Sequence, residues 1–285
     1  MTAVAERRTV SAQATLRTLA WVEARRFARH PLFLLGVVLL GVSTAAVSDD
    51  RNGGILDFTI APAFLLGVLG MVVAHRLTRS MARPGDAVRA APADGVLRTA
   101  ALCLACLVPG VVAVAWVAWC YVAVALWPAP ELVAISGGRQ AVMLACGVVY
   151  AVGGALLGVL LGRWTRFPGA PLVMMAALYG WTLLGLYGQT MAASRLGNLV
   201  ALNPPFVPSL ATDNGHDHPE LMGGSPGWYL VYIALLCGLA AAAAMVHEAV
   251  GARRTRLWRT VAVLGLLALT CLGLAAMGDP TRTTL

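Results

Sequence analysis

The sequence predicts an all-α polytopic membrane protein with an amphipathic N-terminal helix and about seven transmembrane helices, six plus an additional one near the C-terminus. Hydrophobic residues make up 59% of its 285 residues and charged residues only 12%, whereas a soluble domain normally carries about twice that charged fraction. The apolar residues are gathered in blocks, and arginine, proline and glycine mark the segments between them. An uncharged apolar run of about 18 residues or more is long enough to cross a bilayer as a helix.

Seven apolar blocks are candidate spans, although their lengths differ. The first two are short for a hydrocarbon core of about 30 Å, and the third is long. Because the third block contains Pro109, we expect it to be kinked or to start at the membrane interface. The blocks are Leu32–Val47, Phe58–Ala74, Thr99–Trp127, Gln140–Gly162, Gly169–Met191, Trp228–Val246 and Thr260–Met277.

The distribution of arginine predicts the orientation of these blocks. The chain has no lysine, and an N-terminus in the cytoplasm puts 17 of its 21 basic residues and only five of its 13 acidic residues on the inner side. The positive-inside rule prefers this arrangement. We therefore expect a multi-pass protein of a bacterial-type plasma membrane, with the N-terminus inside and the C-terminus outside. The net charge of +8 then indicates contact with anionic lipid at the cytoplasmic face and not with nucleic acid.

The N-terminal leader, residues 1–31, ends in the charged run "EARRFARHP". On a helical wheel Leu16, Leu19 and Phe27 share one side while most of the arginines point elsewhere. This pattern predicts a helix that lies along the membrane surface. Pro31 disfavours helix at the residue before it, so we expect the chain to bend there and enter the first span.

One acidic residue of this predicted elbow helix, Glu23, falls on the apolar side. It needs a partner, and Arg26 stands one turn away. A merely solvated basic leader is the alternative to an elbow. The charged elbow residues are Glu23, Arg25, Arg26 and Arg29.

The inner loop between the second and third blocks, within residues 75–98, carries helix-capping signals. Pro84–Gly85 predicts a turn, and Asp86 can cap a short helix that ends before Pro92. Asp94 can cap the start of the third span. Three charged residues of the loop would then face the cytoplasm, namely Arg83, Asp86 and Arg89. A plain solvated loop is the alternative.

The longest outer loop, residues 192–227, contains the run "DNGHDHPE". Such side chains bind metals in some proteins, but an acidic loop with two histidines is more typical of a solvated surface, and we predict neither a metal nor another cofactor.

All six cysteines lie within or at the ends of apolar blocks, so no disulfide framework is predicted. Cys103 and Cys106 of "CLAC" are interpreted as small apolar helix residues.

The fourth block contains a regular stripe of glycine in "GALLGVLLG". Gly154, Gly158 and Gly162 recur every four residues and so fall on one side of a helix. A stripe without side chains lets another helix approach closely. We expect Gly158 to lie against a neighbouring helix and not against lipid.

The layout resembles the permease subunits of ATP-binding-cassette exporters of the type-2 permease family. The resemblance rests on "EARRFARHP" before the first span, on "RSMARPGDAVRAAPADGVLRTAALCLA" leading into the third, and on the large outer loop between the fifth and sixth. It covers most of residues 15 to 248 and implies a six-span core, residues 32–248, that pairs with a second permease, identical or different, and with a separate ATPase. The chain departs from the family at residues 249–285, which add a basic inner loop, a further span and an outer tail.

The resemblance also implies roles for two groups of residues. In the family the loop between the second and third spans docks on the ATPase as a coupling helix, which makes Arg83, Asp86 and Arg89 contact residues. The second and fifth spans would line the transport path at a permease dimer interface. Methionine and aromatic side chains there suit an apolar or amphipathic cargo. The candidate path residues are Phe64, Met71, Met175, Tyr179 and Gln189.

Other functions are weighed against the same residues. An ion-coupled secondary transporter normally keeps ionisable groups in its spans, and none of the seven blocks contains Asp, Glu, Arg or His. A membrane enzyme needs a nucleophile with a base, or metal ligands, and only the outer loop gathers ionisable residues. A structural or assembly subunit is a further alternative function. The chain itself is not expected to hydrolyse ATP, because a P-loop requires a lysine.

Overall fold

The structure, a computed structural model, is predominantly helical over the residues that it describes, which are 2–49, 61–82, 94–126, 137–165, 167–190, 195–203, 210–212, 219–221 and 225–277. A π-helix at Pro62–Val68 continues directly into α3. The elements are α1 (Thr2–Ala28), α2 (Pro31–Asp49), α3 (Leu69–Ala82), α4 (Gly95–Ala105), α5 (Leu107–Leu126), α6 (Gly137–Trp164), α7 (Ala170–Thr190), α8 (Arg195–Leu202), β1 (Leu210–Thr212), β2 (Pro219–Leu221), α9 (Pro226–Glu248) and α10 (Gly251–Met277).

Five helical segments are long and apolar enough to cross a membrane, and the first two helices add a sixth if they count as one bent span. A further apolar helix, Ala170–Gly185, is shorter. The chain is therefore compatible with a multi-pass, helical membrane protein, as the composition predicted. The five segments are Pro62–Ser80, Gly95–Trp119, Leu144–Trp164, Pro226–Glu248 and Gly251–Met277.

The outer loop contains regular structure that the sequence analysis did not predict. α8 lies within it, and β1 pairs with β2 in antiparallel fashion, with Leu210 opposite Leu221. Strands of three residues are too short to show the alternation by which strands are recognised in a sequence. The described residues are otherwise helical, so the structure is consistent with the predicted all-α class, to which this small hairpin is a local addition.

The core is built around α6, which contacts the π-helix, α3, α5 and α9. Its apolar side chains interleave with those of the surrounding helices. Small residues at the contacts bring the helix axes together, and larger ones fill the space between them. The most buried members of the main cluster include Phe27, Leu66, Val73, Leu102, Ala151, Ala155, Val159 and Ala244.

The three glycines of the α6 stripe face the second span, Gly154 and Gly158 its backbone and Gly162 the side chain of Thr78. A Cβ added to Gly154 would lie 2.8 Å from the Cα of Gly67, and one added to Gly158 would lie 2.9 Å from the Cα of Met71. A Cβ on Gly162 would lie 2.7 Å from the Cβ of Thr78. Real Cβ atoms do not approach other heavy atoms this closely, so the two helices pack along three successive turns only because these side chains are absent.

The third span begins with the predicted cap and contains a local break. The Oδ1 atom of Asp94 accepts a hydrogen bond from the backbone N–H of Val96 at 3.3 Å, which confirms Asp94 as the N-cap of α4. The α-helix is interrupted at Cys106, three residues before Pro109. Proline has no N–H to offer to the carbonyl of Ala105, which explains why regular helix is lost there.

The glycine contact can be tested with two matched substitutions. Gly158→Ala places a methyl group into the backbone of Met71, so the two helices must separate. We expect a loss of about 1 to 3 kcal/mol in unfolding free energy, as for other overpacked cores. Gly180→Ala on α7 meets open space and gains helix propensity, so we expect no loss or a gain of up to about 1 kcal/mol. Thermal unfolding in detergent measures both, and equal stability of the two variants would contradict the packing.

Candidate functional site

The N-terminal pair of helices is sharply bent. Residues 13–28 of α1 and 31–43 of α2 meet at 60°, and Pro31 is the first residue of the second helix. The Nδ1 atom of His30 accepts a hydrogen bond from the backbone N–H of Leu32 at 3.3 Å, so this side chain caps α2. The rings of Phe27 and Phe33 contact edge to face across the bend, with centroids 5.2 Å apart. The proline, the cap and the aromatic pair together determine the bend.

The cap requires an unprotonated Nδ1 on His30. Partial burial, and then the positive charge of Arg76, lower the pKa of this imidazole. The folded protein therefore favours the neutral form. Because the pKa of His30 is lower in the folded than in the unfolded state, neutral His30 contributes to the unfolding free energy above the unfolded-state pKa. That contribution is lost as the pH falls through the lower pKa of the folded state.

The charged residues predicted for the elbow occupy different environments. Glu23 is buried, and Arg26 Nη1 donates hydrogen bonds to its two carboxylate oxygens at 3.0 and 3.3 Å. The guanidinium of Arg25 lies 5.8 Å from the centre of the Trp21 ring. Arg29 is exposed. One carboxylate is thus neutralised on the packed side of α1, while the arginines reach the surface.

Two ion pairs lie together at the end of the bundle that the arginine distribution assigns to the cytoplasm. Arg163 Nη1, at the end of α6, donates to Glu248 Oε1 at 2.9 Å, and the two side chains are 11% and 28% exposed. Arg253 of α10 pairs with Asp94, and both are about half exposed. A Cβ added to Gly95 would lie 2.8 Å from Glu248 Oε2. The carboxylate of Glu248 therefore packs directly against Gly95, the neighbour of Asp94. We call Asp94, Arg163, Glu248 and Arg253 the inner ion-pair cluster.

The inner ion-pair cluster joins the ends of α4, α6, α9 and α10. A further contact reinforces it, because Trp164 Nε1 donates a hydrogen bond to the carbonyl of Ala243 on α9 at 3.0 Å. The Trp164 ring also contacts the ring of His247, with centroids 5.7 Å apart. Helix ends from three separate parts of the sequence are therefore joined in one surface.

A second set of polar groups is buried close to this end of the bundle. Thr78 donates to the carbonyl of Ala74 at 2.7 Å, and Thr99 donates to that of Gly95 at 3.0 Å. His75 is only 2% exposed, and its Nε2 atom has no hydrogen-bond partner among the described residues. The threonines are satisfied within their own helices, whereas the Nε2 atom of the imidazole is not.

The predicted docking residues Arg83, Asp86 and Arg89 lie outside the described residues. The described chain stops at Ala82 and resumes at Asp94. The inner ion-pair cluster is therefore at the point where the segment carrying these residues rejoins the bundle.

The predicted path residues do not form one lining within a single chain. Met71 is buried in a small cluster with Leu161 and Ala170. Phe64, Met175 and Tyr179 are exposed at the surface. Gln189 belongs to α7, and its side chain is outside the described part of the structure.

Sequence reasoning missed the pairing in the inner ion-pair cluster and the burial of His75. A usable signal was present, because Arg163, Glu248 and Arg253 each lie within a few residues of an apolar block on the predicted inner side. The signs of the charges indicate that pairs can form there. Which arginine meets which carboxylate depends on the order of the helices around the bundle, which a single sequence does not reveal.

Comparison with protein-family models, with curated proteins and with solved structures finds no match for this chain. The chemistry of the described residues is therefore the basis for a function. Among them, no group of three or more His, Cys, Asp or Glu is arranged to hold a metal ion. The inner ion-pair cluster can fix helix ends and set their register.

The two ion pairs should differ in strength, which double-mutant cycles can measure. Arg163 and Glu248 are mostly buried, and a hydrogen bond between charged groups there contributes about 1.5 to 3 kcal/mol. Arg253 and Asp94 are exposed, and such pairs contribute less than about 1 kcal/mol. We expect the coupling energy from Arg163→Gln with Glu248→Gln to exceed that from Arg253→Gln with Asp94→Asn. Equal coupling energies in unfolding experiments would contradict this order.

Proposed function

We propose that the chain is the transmembrane permease subunit of an ATP-driven exporter whose ATPase is a separate polypeptide. The observation that carries the proposal is the inner ion-pair cluster at Asp94. Through it, the segment that would dock on an ATPase is joined to α6, α9 and α10 as well as to its own two helices. A force applied to this segment would reach four helix ends at once, as a coupling element requires.

A second permease, identical or different, would complete the transport path. The apolar side chains of α2 and α7 support this part of the proposal, since Val38, Leu172, Tyr179 and Leu184 are among the exposed large residues. Two copies facing each other would bring Phe64, Met175 and Tyr179 toward a shared path. The cargo is an unidentified molecule of apolar or amphipathic character, in keeping with those side chains.

The proposed topology has an interfacial elbow helix and seven spans, with the N-terminus in the cytoplasm. Contacts at the two ends of the bundle support it. The inner ion-pair cluster gathers helix ends that the arginine count places inside. Residues at or near the predicted outer ends of the spans also meet, since Tyr232 donates to the carbonyl of Asn203 at 2.9 Å and Ser225 N–H donates to that of Ala275 at 3.0 Å.

Cysteine labelling in intact cells tests this topology. In a background without native cysteines, Asp217→Cys should react with a membrane-impermeant maleimide and Arg254→Cys should not react until the membrane is opened. A cysteine placed after the last residue should behave like Asp217→Cys. A C-terminus that reacts only after the membrane is opened would contradict the seventh span and leave six.

The partner is tested by charge reversal in the proposed docking segment. We expect a P-loop ATPase to co-purify with the unaltered chain in mild detergent. Arg83→Glu with Arg89→Glu should release it, or uncouple hydrolysis from transport, because charges at an interface set register and partner choice. The matched control is Arg7→Glu with Arg8→Glu, which changes the net charge equally within the predicted cytoplasmic leader and should retain the ATPase. Retention by the first variant would contradict the docking role.

A secondary transporter is the second candidate, and the buried His75 is the observation that favours it. The helical segment Pro62–Ser80 extends beyond the apolar block that ends at Ala74, and so it includes His75, whose side chain is buried. Buried ionisable groups in spans carry protons in many pumps and transporters. Transport by the purified chain in liposomes, without nucleotide and driven by an ion gradient, would replace the exporter proposal with this one.

A further inference from the structure

α10 is longer than a membrane crossing needs, and the surplus lies at its inner end. The helix has 27 residues, which at 1.5 Å per residue is about 40 Å, against a hydrocarbon core of about 30 Å. Residues 251–259 contain four arginines, and Trp258 is exposed. The surplus length and the arginines coincide, so the first turns of α10 lie at headgroup level in the predicted orientation.

α10 has one side packed on the bundle and one side exposed. The exposed side carries large apolar residues that reach 67% exposure at Leu266 and 68% at Leu269. In a membrane protein, such a side is covered by acyl chains or by another helix. The packed side consists of Ala268, Cys271, Leu272, Ala275 and Ala276.

Two arginines continue the exposed side toward the inner end. Positions seven residues apart lie on the same side of a helix. Arg259 precedes Leu266 by seven residues, and Arg256 precedes Val263 by seven. Both arginines are exposed, and neither forms an ion pair within the described residues.

We propose that Arg256 and Arg259 bind the headgroups of anionic phospholipids in the inner leaflet. The apolar residues above them contact the acyl chains of the same lipid layer, so the phosphate groups lie at the height of the two guanidinium groups. Guanidinium matches phosphate geometry with two parallel hydrogen bonds. The continuity of one helix side, from apolar residues to arginines, favours a lipid over an acidic protein. This inference does not depend on the exporter function.

Native mass spectrometry of the purified chain tests the site, with phosphatidylglycerol titrated in competition with phosphatidylcholine. An arginine near a membrane surface contributes about 1 kcal/mol, or about fivefold in affinity. Arg256→Gln with Arg259→Gln should therefore weaken the first phosphatidylglycerol adduct about 25-fold. The matched control is Arg254→Gln. This arginine is also exposed, but it precedes the buried Leu272 by 18 residues, or five turns, and so is on the side of the helix that packs on the bundle further along. It should change the affinity less than twofold, by our order-of-magnitude expectation for a residue off the lipid side.

Circular dichroism establishes that each variant is folded. If the double variant does not fold, Arg259→Gln alone should still weaken the adduct about fivefold. Unchanged phosphatidylglycerol affinity in the variants, or an equal loss in Arg254→Gln, would overturn the proposal. So would variants that keep the lipid and instead lose a co-purifying acidic protein, since that result would assign the surface to a protein partner.

Discussion

The packing of α6 against the second span constrains most of the structure. In a bilayer the lipid tails are as apolar as leucine, so burial of apolar surface drives helix association only weakly. Short-range dispersion between closely fitting surfaces must supply much of the attraction, and a gap of about 0.5 to 1 Å already removes a quarter to a half of it. Gly154, Gly158 and Gly162 make that fit possible along three turns. The register of the second span relative to α6 is thereby fixed, and the positions of Met71 and Thr78 follow from it.

The arrangement of charges at the inner end depends on how α9 packs on α6. α9 packs on another side of α6, where a Cβ on Gly153 would lie 3.0 Å from the sulfur of Cys237. With α9 so placed, Glu248 reaches Arg163 at the end of α6 and covers Gly95 at the start of α4. The Arg163–Glu248 ion pair favours this helix arrangement over others by more than its net contribution to the unfolding free energy suggests. An arginine with 11% exposure and no partner would carry a large desolvation penalty.

The periphery follows different physical rules from the core. α2, α7 and the outer half of α10 display large apolar residues that nothing in the described chain covers, including Val38, Leu184 and Leu266. In water such surfaces would be costly, whereas in a membrane they are the ordinary lipid contact or the contact with another span. At the N-terminus the bend at Pro31 separates a helix rich in arginine from one that carries no charge before Asp49, and His30 and the two phenylalanines hold the angle.

The sequence by itself determined the helical membrane class, the approximate position of most spans, the bend before Pro31 and the cap at Asp94. These features arise from local causes, namely apolar length, the missing N–H of proline and an acidic side chain at a helix start. The tertiary structure decided which charges pair, since Arg163 and Glu248 are 85 residues apart and only the order of helices brings them together. It also decided that Met71 is buried while Phe64 is exposed, although both belong to one apolar block. Identical hydrophobicity does not reveal which side of a helix meets a neighbour, because that depends on the backbone approach that the glycines permit.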